Sequence, residues 1–214
     1  MFFRKKKNKL ELEINKFNKL NIGCGSSYIK DWLNIGIFPE EEISYGTVKE
    51  MNGASVLHFD MTNKLPLRDG GVKYIYASHF IEHLNFEEGV KLLRRCYNFM
   101  QDGAVMRLTF PDLELWVRNY CENNTDFFEK YKNYFLKNKS PKVKTKGEIF
   151  MSQVHGFGHK WNWDFESMKH ILSEIGFSNI EKKEAFDSDI SNIKEIEPRG
   201  EGRLLETIYV EAIK

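Results

Sequence analysis

The stretch Lys19-Leu20-Asn21-Ile22-Gly23-Cys24-Gly25-Ser26-Ser27 constrains this chain most. An apolar run of strand length ends on two glycines one residue apart. Without Cβ atoms, Gly23 and Gly25 let the backbone bend sharply and let a ligand come close to it. A first strand that ends this way fits a doubly wound α/β sheet, in which ligands sit at the carboxyl edge of the strands. The third small residue of a dinucleotide fingerprint would stand at position 28, which is Tyr28, so a nicotinamide or flavin site is disfavoured. No Gly-x-x-x-x-Gly-Lys-Ser/Thr segment occurs, which removes the P-loop reading.

The rest of the chain alternates short strands with helices. Apolar runs predict strands at 18–23, 32–37, 56–59, 72–77 and 104–110, the second and fifth stopped by Pro39 and Pro111. Ser26 is expected to cap a short helix. Another helix is expected to start near Ser78 or His79, with Phe86, Val90, Leu93, Tyr97 and Met100 on one face and Gly103 as its left-handed cap. This alternation implies a parallel sheet.

Beyond residue 112 the pattern changes. Leu113, Trp116 and Tyr120 mark a helix, and 124–137 another. The lysine-rich KNKSPKVKTKGE at 137–148 reads as a mobile loop or lid. Asp164 caps a helix through Ile175 that Gly176 stops. Segments 177–184 and 204–213 are expected to form a closing hairpin.

Composition bounds the function. With 214 residues, 41% of them hydrophobic and 29% charged, the chain suits one globular domain. A formal charge of +1 provides no global field for nucleic acid. Cys24, Cys96 and Cys121 show no paired spacing and read as reduced thiols of a cytoplasmic protein. Residues 1–17 carry a basic cluster without a signal-peptide core and read as a solvated extension. No stretch has the length of a transmembrane segment.

Five segments in order resemble the class I S-adenosylmethionine-dependent methyltransferases: LNIGCG at 20–25, HFD at 58–60, LPLRDGGVKYIYASHFIEHL at 65–84, DGAVMRLTFPD at 102–112, and GHKW followed by ILSEIGF. The resemblance covers nearly all of the chain after residue 18. It is strongest to the small bacterial enzymes often associated with cell-surface polysaccharide genes. It implies a Rossmann-like, doubly wound, seven-stranded and mostly parallel sheet with an antiparallel last strand. The domain would span 18–214, with a lid-like insertion at about 112–162. It implies S-adenosylmethionine as cofactor. Asn21, Ile22, Gly23, Cys24 and Gly25 would lie at its methionine end, with the turn offering backbone N–H groups to the carboxylate. Gly36 and Ile37 would lie at the ribose, Asp60 and Met61 at the adenine, and Ala77 and Ser78 under the methionine part. The implied acceptor is a hydroxyl or carboxyl of a sugar, glycan precursor or other polar small molecule, with O-methylation favoured and nucleic acid disfavoured.

Two positions depart from the family pattern. Gly36 stands where an acid usually binds both ribose hydroxyls, through bonds worth about 1.5–3 kcal/mol each. Glu40, Glu41 or Glu42 would have to replace it; otherwise a non-catalytic binding protein on the same fold becomes the alternative. Asn21 likewise replaces an acid. His79, His155 and His159 are candidate bases, because imidazole titrates near neutrality, whereas His58 and His170 read as structural. Asp112 either caps a helix or faces substrate. Trp116 reads as packing, and Tyr120, Trp161 and Trp163 are candidates for stacking on a substrate. The lysines between Lys130 and Lys146 could attract a phosphorylated substrate. Finally, His79-Phe80-Ile81-Glu82-His83 matches the His-x-x-Glu-His pattern of inverted zinc peptidases, with Glu148 as a further ligand. The methyltransferase resemblance accounts for Glu82-His83-Leu84 without metal, so no metal ligand is expected.

Overall fold

A computed structural model describes residues 9–137 and 143–214. Its strands are β1 (Lys19–Ile22), β2 (Leu33–Gly36), β3 (Val48–Met51), β4 (Ala54–His58), β5 (Val72–Ser78), β6 (Met100–Pro111), β7 (Ser178–Lys183) and β8 (Thr207–Ile213). They form one sheet in the order β3-β4-β2-β1-β5-β6-β8-β7. The four central pairings are parallel. β8 runs antiparallel between β6 and β7, so the closing hairpin and the antiparallel last strand form as expected.

The sheet has eight strands, not seven. The added β3 pairs antiparallel with β4 through a two-residue loop, Asn52-Gly53, with Met51 opposite Ala54. Both loop residues have positive φ, 53° and 75°, which is what a tight hairpin turn requires. Asn-Gly is the strongest short hairpin signal, and the four-residue arm before it is too polar to read as a strand.

The helices are α1 (9–14), α2 (Phe86–Phe99), α3 (Leu113–Cys121), α4 (Thr125–Tyr131), α5 (Lys146–His155), α6 (Phe165–Ile175), α7 (Ile193–Ile196) and α8 (Glu201–Glu206). Several depart from expectation. No helix starts at Ser26. The β1–β2 connection is an irregular loop that two buried asparagines hold: Asn21 donates to Asn34 Oδ1 and to the Ser27 carbonyl, both at 2.9 Å. Asn34 also receives Ile29 N–H and donates to the carbonyls of Ile29, Trp32 and Ser55. Side chains thus satisfy backbone groups that a helix would have satisfied internally.

α2 begins at Phe86, under an Asn85–Glu88 capping box, and not at residues 78–79. It ends at Phe99 and runs straight into β6, so Gly103 is not its cap. Gly103 lies in the irregular stretch between the Val72–Met100 and Tyr74–Val105 pairings. The N-terminal basic cluster lies outside the described residues, but the expected solvated extension does not hold for 9–17. Ile14 is fully buried, and Leu10 and Phe17 pack on the core. Part of the lysine-rich segment, 138–142, is outside the described residues, whereas Lys146–His155 is helical under a Thr145–Glu148 capping box. Residues 204–206 are helical, which shortens the last strand.

The main core lies between the sheet and α2 and α6. A second cluster joins Trp116, Phe127, Phe128, Tyr131, Leu136 and Ile149, so Trp116 is packing, as expected. Among the described residues, no helix is long and apolar enough to cross a membrane.

Candidate active site

The carboxyl ends of β1, β2, β4 and β5 border three adjoining hollows. The first, about 340 Å³, is lined by Gly23, Gly25, Gly36, Ile37, Asp60 and Met61, together with Phe80, His83 and Lys160. The second, about 380 Å³, is bordered by Asn21, Cys24, Ser26, Ser78, His79 and Arg203. The third, about 270 Å³, is walled by Glu82, His83, His159, Arg203 and Glu206. Gly23 and Gly25 line the first two, His83 the first and third, and His79 and Arg203 the second and third, so the hollows form one crevice. A larger depression of about 820 Å³, under residues Ala185–Arg199, includes none of these strand-end residues.

The glycine turn is built for close approach. A Cβ on Gly23, at φ +68°, would lie 2.2 Å from the Phe80 ring. The expected row of free N–H groups is only partly present. The N–H groups of Gly23 and Cys24 both donate to the Ile35 carbonyl, at 2.8 and 3.0 Å, and stitch β1 to β2. Gly25 and Ser26 keep N–H groups without a protein acceptor among the described residues. Burial pushes the Cys24 thiol up to about 12, so it is no nucleophile. Ile22 and Ala77 are buried in the sheet and do not line the crevice. Ser78 accepts a hydrogen bond from Thr109 Oγ1 at 2.9 Å.

Asp60 is held in place. Its Oδ1 accepts from Thr62 N–H and Thr62 Oγ1, both at 2.8 Å, and Oδ2 has no hydrogen-bond partner among the described residues. Arg95 fixes the following turn by donating to the carbonyls of Met61, Thr62 and Asn63. Met61 is buried, while Ile37 is 71% exposed at the rim. Among the described residues, no carboxylate takes the place of the acid expected at Gly36. Glu40 accepts from Tyr45 N–H, and none of Glu40, Glu41 and Glu42 lines the hollow. A Cβ on Gly36 would meet the Phe38 ring at 3.1 Å and Cys24 Sγ at 3.2 Å.

The three candidate bases have different fates. His79, at φ +49°, has Nε2 2.8 Å from Thr207 Oγ1 and Nδ1 3.2 Å from Glu82 Oε1. Burial pushes its pKa down. His155 is exposed at the end of α5 and lines none of the three hollows. His159 is half-buried in the third hollow, also with a lowered pKa from burial. Glu82 and Glu206 share that hollow in opposite states. Burial pushes the Glu206 carboxyl up to about 8. Burial opposes ionisation of Glu82 too, but His79 beside it holds its pKa below the ordinary value. Two carboxyls driven apart in this way can serve as a hydrogen-bond donor and an anion side by side.

Other expectations resolve as follows. Asp112 caps α3 and pairs with Lys182. His58 is structural, with Nδ1 on the Ile43 carbonyl. Trp163 is buried, and Trp161, 42% exposed, rests against Phe86. The zinc-peptidase geometry is absent: residues 81–83 form one 3-10 turn, so His79 and His83 do not share a helix face. Glu148 is an exposed capping residue of α5. Sequence reading missed Phe80, Lys160, Arg203 and Glu206, and named His83 only as a zinc ligand. Arg203 and Glu206 lay next to or within a stretch read as strand.

No protein-family model matches the sequence, and no curated protein matches it. Solved structures do. A SAM-dependent methyltransferase from Archaeoglobus fulgidus is 18% identical over 97% of this chain and 92% of its own, with a TM-score of 0.53. One from Thermotoga maritima is 17% identical over 98% and 90%, with a TM-score of 0.52. The chain carries the class I methyltransferase fold. It spans about half (52%) of a third match, Haemonchus contortus phosphoethanolamine N-methyltransferase 2 in complex with S-adenosyl-L-methionine, at 14% identity and a TM-score of 0.52. Within this methyltransferase fold, β3 is an eighth strand at the edge, and the β1–β2 crossover is a loop.

Proposed function

We propose that this chain is an S-adenosylmethionine-dependent methyltransferase acting on a polar small molecule, with O-methylation of a sugar or glycan precursor as the favoured reaction. One observation carries the reading. Gly23, Gly25, Ile37, Asp60 and Met61, assigned to the cofactor from sequence, line a single hollow at the strand ends. Its chemistry suits an adenosyl group. Asp60 has an unpartnered oxygen for the exocyclic amine, and Ile37 and Met61 offer apolar surface to the ring. The free N–H groups of Gly25 and Ser26, with Arg203 across the second hollow, suit the methionine carboxylate. When bound, the cofactor supplies a methyl group on a sulfonium. The protein's own part is to hold the acceptor nearby and exclude water.

The third hollow is the acceptor side. Tyr131, Phe135 and Phe157 wall it, which gives the insertion at 112–162 the role of a cover. Buried Glu206, protonated up to about pH 8, can donate to an acceptor oxygen. Of the expected bases, only His159 is in this hollow with a ring nitrogen unengaged, since Nδ1 alone bonds protein. A cytoplasmic location agrees with three unpaired cysteines.

Phe38 closing over Gly36 favours a second reading, a non-catalytic protein on this fold. Calorimetry with S-adenosylmethionine and S-adenosylhomocysteine separates the two. Saturable heat that Asp60→Ala weakens supports the enzyme; no heat at millimolar ligand leaves the binding protein.

A further inference from the structure

Glu82, His83 and His159 meet where the first and third hollows join. One donor atom from each lies within 4.8 Å of the other two. Glu82 and His83 come from the turn after β5, and His159 from the segment after α5. That segment is clamped to the turn: the N–H groups of Lys160 and Trp161 both donate to the Glu82 carbonyl, at 2.8 and 3.2 Å.

Each imidazole has its Nδ1 engaged by a backbone carbonyl. His159 Nδ1 lies 2.6 Å from the Gln153 carbonyl, and His83 Nδ1 lies 3.3 Å from the Gly158 carbonyl. A carbonyl only accepts, so in both rings the proton sits on Nδ1 and the Nε2 lone pair is free. Outer carbonyls hold metal-binding histidines in this way. Glu82 is 1% exposed, and neither carboxylate oxygen makes a well-formed hydrogen bond. Its nearest basic atom is His79 Nδ1, and no lysine or arginine forms an ion pair with it among the described residues. A buried carboxylate left this way is costly unless a cation meets it.

We propose that Glu82, His83 and His159 bind one divalent transition-metal ion of the zinc type, with an open fourth position toward the third hollow. Two imidazoles and a carboxylate are the ligand set of several catalytic zinc sites, which keep one position for water or substrate. Calcium and magnesium would need more oxygen donors. Zinc–nitrogen bonds of about 2.0 Å place donors about 3.3 Å apart, so the trio closes in by up to about 1.5 Å. The set differs from the His-x-x-Glu-His pattern, because His79 is held by Thr207 and His159 lies 76 residues beyond His83. An ion here would bind an oxygen of the acceptor and make its hydroxyl more acidic; with it bound, His159 serves as a ligand and not as the base. That use rests on the methyltransferase reading; the binding of metal does not.

The test uses the whole chain, freed of metal by a chelator. It is titrated with Zn²⁺ by calorimetry and with Co²⁺ by visible absorption. The expected result is one ion per chain, with the cobalt bands of a low-coordinate nitrogen–oxygen site. Glu82→Gln and His159→Gln should each weaken binding by about 100-fold or more, and His170→Gln, on an exposed helix surface, should not. Absence of stoichiometric binding to the wild type would overturn the proposal, as would binding that survives His159→Gln. If Glu82→Gln does not fold, His159→Gln and the wild-type cobalt spectrum decide. S-adenosylhomocysteine titrated into the same samples separates the two ideas. Zinc without nucleotide binding keeps the metal site and removes its use in methyl transfer. Nucleotide without zinc binding removes the metal site alone.

Discussion

Arg107 and Glu197 stand 90 residues apart in sequence and 2.5 Å apart in space, both fully buried. The guanidinium also reaches Glu211 at 3.1 Å and the carbonyls of Glu184 and Asp187. One arginine on β6 therefore anchors the whole excursion between β7 and β8. Replacing Arg107 by Met would leave two buried carboxylates without their cation. The expected loss is about 3–5 kcal/mol of stability, read as a lower urea midpoint. Glu197→Gln, which keeps an acceptor for the guanidinium, should lose less.

The asparagine pair under the glycine turn makes a second prediction. Asn34 is fully buried and its side chain satisfies the loop from both sides. Asn34→Leu strands those backbone groups and should cost about 2–4 kcal/mol. Because that loop borders the second hollow, S-adenosylhomocysteine binding should weaken even at temperatures where the variant stays folded. A variant with unchanged stability and affinity would remove the loop's dependence on this residue.

Placing an acid at position 36 tests the proposed ribose end of the first hollow. Gly36→Asp alone should not raise affinity, because its Cβ would press on the Phe38 ring and on Cys24 Sγ. Gly36→Asp combined with Phe38→Ala and Cys24→Ala should tighten nucleotide binding by about 10-fold or more, the equivalent of one charge-assisted hydrogen bond. Calorimetry on both variants checks the contrast between them. Asp60→Ala should weaken binding by a few-fold to about 10-fold.

Glu206 sets a pH dependence. Burial raises its folded pKa to about 8, well above the ordinary carboxylate range, so the native state holds a proton that the unfolded chain releases. Stability should therefore fall as pH rises from about 4.5 to about 8, by an order of a few kcal/mol. Glu206→Gln removes this slope and should be the more stable form at pH 8. Denaturant unfolding of both proteins at pH 5.5 and 8 measures it.

Much of the fold and part of the site were legible in the sequence. The parallel strands were readable because each is an apolar run ended by glycine, proline or aspartate. The grouping around the first hollow was readable because Gly23, Gly25, Ile37, Asp60 and Met61 sit at strand ends, where local sequence fixes position. β3 and α5 were missed because their signals are short: an Asn-Gly turn and a Thr-x-x-Glu cap within lysine-rich surroundings. Arg203, Glu206 and the meeting of His159 with Glu82 were not legible. They depend on contacts between segments about 75 to 125 residues apart, which no local pattern encodes.

The two rims of the sheet have a consequence for crowding. The outer arm of the Asn-Gly hairpin is four residues long and shows Lys49 and Glu50 to solvent, while the opposite rim, Ser178–Lys183, carries Glu181, Lys182 and Lys183. Neither rim offers a long, flat, uncharged row of amides for a neighbouring copy to extend. Both rims therefore work against a neighbouring copy extending the sheet.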